Sequence, residues 1–340
     1  MIEIVARSEA MREALRLAGR VAATDANVLV TGESGAGKDA LALFIHAMSP
    51  RAMGPFVKID CASLPGELLE AELFGYERGA FTGATAAKPG RLEAAHKGTL
   101  VLDEIAHLPW DAQAKLLRVI ELREFERLGG RRTVRVDARL VALTNVDLDD
   151  AVRRRAFRED LFYRLNVVRI HVPPLRERGE DVEPLAVKFL EGYAAKHGRA
   201  PRHFATDALA ALAAYDFPGN VRELANIIER AVIVTEEATV GAKDLPEAVR
   251  TVLGVSVRRT HRPTLAELEA EYVREILEAA RGNKSEAARI LGISRKNLYE
   301  KLAKQKQVAG GQWSVVGKKA EARGQQLGDD SAETGKRSKN

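Results

Sequence analysis

Cysteine is almost absent from this chain of 340 residues: Cys61 is the only one. No internal disulfide can form, and a cytoplasmic location is the simplest reading. No apolar run approaches the roughly 18 residues that a membrane-crossing helix needs, so no membrane partner is expected. Met1-Ile2-Glu3 lacks the basic and apolar regions of a secretory leader. His46, His96, His171 and Cys61 stand without metal-ligand spacing and read as structural. No internal repeat is visible. The net charge is only +5, so the chain as a whole is not a polycation. What is present is an ordinary apolar share of 46%, enough for a large core. The length allows two or three domains of about 100–200 residues each.

The pattern along the chain predicts an α/β fold. Val28–Val30, Val57–Ile59, Thr99–Leu102, Leu140–Leu143 and Val167–Ile170 are apolar strand candidates with helical patterns between most of them. Strands that alternate with helices indicate a parallel sheet covered on both faces. Residues 122–137 read instead as a hairpin, Glu124–Leu128 and Thr133–Val136 about a Gly129-Gly130 turn. Helix Glu9–Val21 precedes the first strand. Pro173-Pro174 breaks the pattern, and the chain is helical from Asp181 to about Ala248. The expected divisions are an α/β core over 1–175, a helical lid over 176–248, a linker over 249–263, a small all-α domain over 264–306 and a disordered, glycine-rich tail over 307–340.

Three constellations carry chemistry. Gly32-Glu33-Ser34-Gly35-Ala36-Gly37-Lys38 fits G-x-x-x-x-G-K between a strand and a helix. Its glycines let backbone N–H groups face phosphate oxygens, Lys38 neutralises the terminal phosphates, and the helix N-terminus adds its dipole. The general pattern continues with Ser or Thr to hold Mg²⁺; here Asp39 stands there, so other groups must hold the metal. The apolar strand Thr99–Leu102 delivers Asp103 and Glu104 at its carboxyl end, where open α/β sheets bind ligands. Asp103 suits Mg²⁺, through water, and Glu104 suits polarisation of the attacking water. Strand Leu140–Leu143 ends in Thr144-Asn145, which by themselves read as strand-capping polar residues.

Between the phosphate loop and the acidic strand lies Gly79-Ala80-Phe81-Thr82-Gly83-Ala84, an uncharged insert with two glycines and one aromatic. It reads as a mobile tip that touches a partner. This run resembles the GAFTGA loop of sigma-54-dependent transcription activators, and the resemblance covers roughly residues 1–306. It implies an AAA+ P-loop core that binds ATP and Mg²⁺, with the loop as the contact to sigma-54 RNA polymerase holoenzyme. Within that family Asn145 would sense the γ-phosphate. Arg158 and Arg164, in Phe157–Asn166, would be arginine fingers acting in trans, against the alternative of surface arginines on a helix in a stretch that also holds Arg153-Arg154-Arg155. Arg222, in Pro218–Leu224, would reach the nucleotide from the lid, against the alternative of a salt bridge to Glu223 or Glu229. The family usually has Glu at position 39 and Asn at position 60. Asp60 cannot donate the amide hydrogen bond by which that Asn restrains the catalytic glutamate, so either the coupling is altered or Asp60 is partly protonated.

Residues 281–299 resemble a Fis-type helix-turn-helix. Asn283 and Glu286 are expected to cap its first helix as a pair, Gly292 permits the turn, and Ser294 caps the second helix. Leu298 and Leu302 face inward. That leaves Arg295, Lys296, Asn297, Tyr299 and Lys301 for double-stranded DNA, with Ser294 beside them at the start of the helix, at an inverted-repeat site. From Lys284 to Lys306 seven basic and two acidic residues give 7 − 2 = +5, the net charge of the whole chain, so basic charge concentrates at the motif.

The resemblance implies an ATP-hydrolysing ring, a homo-oligomer of six, that remodels sigma-54 polymerase while tethered to upstream DNA. Two other readings are a regulator of ordinary promoters with the ATPase core as a ligand sensor, and a generic AAA+ remodelling enzyme. Most relatives carry a receiver or ligand-sensing domain before the motor. Here the phosphate loop begins at Gly32, so a naturally short or a truncated member is expected. If it is natural, activity needs no phosphorylation and is restrained by a separate inhibitor protein or by expression level.

Overall fold

In the computed structural model the described residues are 4–198, 203–251, 272–273, 276–277, 280, 283–299 and 301–302. The chain forms two units, residues 1–254 and 255–340. The linker beyond 251, Lys304, Lys306 and the tail from 307 lie outside the described residues.

The first unit is built on five parallel strands: β1 (Val28–Thr31), β2 (Phe56–Asp60), β3 (Thr99–Asp103), β4 (Arg139–Thr144) and β5 (Val168–His171), in the order β2-β3-β4-β1-β5. Val28 and Val30 bury into one apolar cluster and Leu29 into the other, so alternate residues of one strand serve both faces. Such continuous Val/Leu runs are what a sheet covered on both sides requires. Helix α1 (Glu9–Ala22) and helix α2 (Lys38–Ala47) cover the first face. Helices α3 (Gly66–Phe74), α4 (Trp110–Leu122) and α5 (Glu159–Leu165) cover the second. Arg139 is buried, and its guanidinium donates to Val21 O at 2.8 Å and Ala22 O at 2.9 Å. It thereby satisfies the last carbonyls of α1, which have no partner within the helix, and ties α1 to β4.

The expected hairpin is present but shorter, Glu124–Glu126 against Thr133–Arg135. Leu128 is drawn off it, because its N–H donates to Gly75 O and its carbonyl accepts from Glu77 N.

The lid packs α6 (Val182–Lys196), α7 (Thr206–Ala214) and α8 (Asn220–Val234) around Leu190, Leu212, Phe217, Leu224 and Ile228. It is not wholly helical: His203–Phe204 pairs with Thr239–Val240 in a short parallel ladder. A final helix runs over 247–251, and Val249 is buried in the lid core. Val249, expected in the linker, therefore belongs to the lid's packing, while Arg250 and Thr251 are exposed.

In the second unit, helix α9 (Lys284–Ile290) and the helical residues 295–299 pack Ala287, Ala288 and Leu298 together, with Ile293 and Leu302 beside them. Asn283 accepts from Ser285 N at 3.1 Å and Glu286 N at 3.3 Å. The expected return bond from Glu286 is replaced. Asn283 N already donates to Ala280 O, and the Glu286 carboxylate pairs with Arg289 at 2.6 Å. Gly292 has φ +65, the left-handed conformation that the turn needs. Ser294 Oγ accepts from Asn297 N at 3.2 Å, as an N-cap does.

Candidate active site

The carboxyl ends of β1, β3 and β4 converge. Thr31 lies opposite Thr144 and Asp60 opposite Asp103 in the register. Gly32–Gly37 leaves β1 with positive φ at Gly32 (+149), Gly35 (+74) and Gly37 (+106). At Gly35 a Cβ atom would stand 2.4 Å from Gly219 O of the lid, so glycine is required both by conformation and by the close approach.

Lys38 opens α2 and is 7% exposed. Its ammonium donates to Gly32 O at 2.9 Å and Glu33 O at 3.1 Å, and lies 4.0 Å from Glu104 Oε1. Burial depresses its pKa, opposed by the charges of Glu104, Asp103 and Asp39. Glu104 adopts a left-handed φ of +49, unusual for a residue with a side chain. Its Oε2 accepts from Asn145 N at 3.2 Å. Asp103 Oδ1 accepts from Glu104 N at 3.0 Å, and Asp103 Oδ2 lies 2.7 Å from Lys58 Nζ. Lys58 also donates to Asp39.

A cavity of about 220 Å³ joins these groups, lined by Ser34, Gly35, Gly37, Lys38, Asp39, Asp103 and Glu104 from the core and by Phe189, Val221, Arg222 and Ala225 from the lid. The metal was expected to be held by groups other than Asp39, but the Asp39 and Asp103 carboxylates share the Lys58 ammonium, and such a pair of hard oxygen donors fits Mg²⁺. Among the described residues no group of three or more His, Cys, Asp or Glu could hold a metal.

Arg222 Nη1 donates to Ser34 Oγ at 3.1 Å. The salt-bridge alternatives are taken up elsewhere: Glu223 accepts from Tyr215 and Gly219, and Glu229 pairs with Lys196 and His197. Asp60 turns back on its own loop and accepts from Ala62 N at 2.9 Å. Arg158 pairs with Asp160 at 2.8 Å and lies over the Trp110 ring, while Arg164 pairs with Glu121 at 3.0 Å. Neither lines the cavity of its own chain.

Three residues unforeseen in the sequence hold the phosphate loop. Arg176 pairs with Glu33 at 2.6 Å, and Asn220 donates to Glu33 Oε2 and Ser34 O at 3.1 Å. Hydrogen bonds from Arg176 and then Asn220 hold the Glu33 carboxyl down at about 2. Arg178, buried, donates to Ala36 O at 2.5 Å. Asn220 sits within the Pro218–Leu224 motif, but the two arginines had no signal beyond their charge. Phe189, on α6, also lines the cavity.

The insert Gly79–Ala84 stands apart from the cavity lining. Gly79 N donates to Ala84 O at 2.8 Å and Ala84 N to Phe81 O at 3.0 Å, closing a turn with Thr82 and Gly83 at the surface. Gly79 and Gly83 have φ of +85 and +106 with open space about them. Phe81 is 41% exposed, with its ring centroid 4.9 Å from that of Tyr76. Ala80 rests on the hairpin turn, where a Cβ on Gly129 would come within 2.8 Å of Ala80 Cβ.

In the second unit Ser294, Arg295, Lys296, Asn297 and Tyr299 are exposed. Lys301 is half-buried, and Lys284 lies 4.9 Å from the Tyr299 ring centroid.

A phosphate loop, an acid pair at the end of the neighbouring strand and a lid arginine on that loop define a P-loop ATPase domain of the AAA+ class. Residues 4–171 match the sigma-54 interaction domain, residues 176–259 the AAA+ ATPase lid domain and residues 264–304 the bacterial regulatory protein, Fis family. The chain belongs to the sigma-54-dependent transcriptional regulators. It is 44% identical over 307 residues to the regulatory protein AtoC of Escherichia coli, covering 88% of this chain and 67% of AtoC. It is 42% identical over 315 residues to the transcriptional regulatory protein FlbD of Caulobacter vibrioides, covering 88% and 69%. The crystal structure of NtrX from Brucella abortus in complex with ATP is similar, with a TM-score of 0.68, 38% identity, and coverage of 89% of this chain and 69% of NtrX. The chain spans only 56% of the nitrogen fixation protein AnfA of Azotobacter vinelandii.

Proposed function

We propose that this chain binds ATP with Mg²⁺ in the cavity between core and lid, hydrolyses it, and uses the cycle to remodel sigma-54 RNA polymerase holoenzyme into an open promoter complex. The observation that carries the reading is the presence in one domain of Lys38, Asp103 and Glu104 about one cavity and, outside that cavity's lining, an exposed Phe81–Gly83 tip.

Backbone N–H groups of Gly32–Gly37 and the Lys38 ammonium bind the phosphates. Arg222 brings the lid's charge to the same loop. Asp39 and Asp103 would hold Mg²⁺, in part through water; the ion supplies charge neutralisation on the phosphates. Glu104, held by Asn145 N, orients and deprotonates the attacking water. Asn145 reports the terminal phosphate to the core. Arg158 and Arg164 complete a neighbouring subunit's site within a hexamer, since trans-acting arginines stabilise charge on the transferring phosphoryl group. Phe81 and Thr82 contact the sigma factor.

The second unit places the exposed basic residues of its second helix against double-stranded DNA, at an inverted repeat that matches a two-fold dimer of modules. The chain acts in the cytoplasm, where polymerase and DNA are. Promoter opening assayed with sigma-54 holoenzyme and with ordinary holoenzyme separates this function from that of a regulator of ordinary promoters or of a generic remodelling ATPase.

A further inference from the structure

We propose that Lys58 is a positioning residue of the metal corner: its ammonium holds Asp39 and Asp103 together until a metal–nucleotide enters, and so sets how strongly nucleotide binding depends on magnesium. The proposal rests on the ATP-site reading above and deepens it.

Lys58 lies on β2, with Asp60 on the same side of the strand and Val101 of β3 opposite it in register. Its Nζ is 2.7 Å from Asp103 Oδ2 and also donates to Asp39 Oδ1. Asp39 is in the first turn of α2, immediately after Lys38. The general phosphate-loop motif has a neutral hydroxyl at that position. A carboxylate there adds a negative charge beside Asp103, and the pair needs a cation. Lys58 supplies it.

Asp103 Oδ1 is already engaged by Glu104 N at 3.0 Å. A metal that draws on Asp103 therefore competes most directly with the Lys58 contact on Oδ2. Lys58 is 37% exposed, so its head group has an outward path to water. A divalent ion carries twice the charge of the ammonium, and at equal distance its attraction to the two carboxylates is twice as large. The exchange therefore favours the metal once phosphates complete its shell. Without metal, Lys58 keeps the two carboxylates from repelling the nucleotide's own negative charge. Phosphate binding without magnesium is then possible, and magnesium adds less than it would to a bare acid pair.

The test measures binding rather than turnover. ADP affinity is determined by titration calorimetry with Mg²⁺ and with EDTA, for the full chain and for its Lys58→Gln and Lys58→Arg variants. Mn²⁺ binding in the presence of ADP is followed by electron paramagnetic resonance. Lys58→Gln should weaken ADP binding in EDTA by about tenfold and tighten Mn²⁺ binding by a similar factor, the order expected from losing one partly screened charge contact. Lys58→Arg, which keeps the charge, should stay near the parent in both. ADP binding by Lys58→Gln with an unchanged ratio of magnesium to EDTA affinities overturns the proposal alone. A folded parent chain that binds no ADP in either buffer overturns the nucleotide reading and this proposal with it.

Discussion

Glu104 Oε2 accepts a hydrogen bond from Asn145 N at 3.2 Å, while Glu104 Oε1 lies 4.0 Å from Lys38 Nζ. The end of β3 is thus joined to the end of β4 and to the phosphate loop through one carboxylate. Glu104→Gln keeps the side-chain volume and an acceptor for Asn145 but removes the base. It should bind ATP like the parent and lose hydrolysis by about 10²–10⁴-fold, the usual contribution of a positioned general base. Phosphate release together with nucleotide titration checks this, and equal turnover would remove Glu104 from the chemistry.

Arg158→Ala and Arg164→Ala should each lower turnover, although neither side chain lines the cavity of its own chain. Both form surface pairs within the subunit, with Asp160 and Glu121. Mixing either variant with Glu104→Gln should restore part of the ATPase activity, because some boundaries then combine an intact arginine with an intact glutamate. Mixed rings that form without rescue would make these arginines structural.

Phe81→Ala and Thr82→Ala should leave basal ATPase within about twofold and abolish promoter opening, since surface substitutions away from the cavity rarely disturb it. Loss of basal turnover with assembly unchanged would place the tip inside the catalytic machinery instead.

Burial pushes the Cys61 thiol up to about 12, with Asp60, Asp103 and Glu104 adding to the shift. The native thiol should therefore resist alkylation at pH 8 and react only on unfolding. The unfolded thiol ionises in the ordinary thiol range and the folded one at about 12, so this contribution is intact below that ordinary range and declines as the pH rises from it toward 12. Cys61→Ser should flatten that decline, as measured by denaturant midpoints across the range. Rapid native labelling at pH 8 would contradict the burial.

Arg295 is exposed on the second helix of the DNA module. Arg295→Ala should weaken specific DNA binding by about 1–3 kcal/mol and relax sequence preference, if it reads a base edge. Equal losses on specific and random DNA would reduce it to a phosphate contact.

Much of this was legible in the sequence because local chemistry dictates it. The strands of the sheet are Val- and Leu-rich on both faces, and Gly35 and Gly37 need conformations that other residues resist. Asn283, Gly292 and Ser294 act within a few residues of themselves. What stayed hidden depends on residues distant in sequence. Arg176 meets Glu33 across 143 positions, and Arg178 meets Ala36 across 142. Lys58 lies inside the strand candidate Val57–Ile59, and only the fold sets it against Asp39 and Asp103. Asp60 was expected to bear on Glu104, yet its carboxylate accepts from the turn that follows it, and Glu104 is held from the other side by Asn145 N. The Glu286 cap failed for a similar reason: the N–H it needed already donates to Ala280 O.

The most direct measurement is permanganate reactivity of the melted region on a supercoiled sigma-54 promoter. With sigma-54 holoenzyme, this chain and hydrolysable ATP, the start-site thymines should become reactive. They should stay protected with ordinary holoenzyme, with a non-hydrolysable analogue, or with Lys38→Ala or Thr82→Ala in place of the parent. Opening by ordinary holoenzyme, or opening by sigma-54 holoenzyme with Lys38→Ala, would contradict ATP-driven remodelling of the sigma-54 complex.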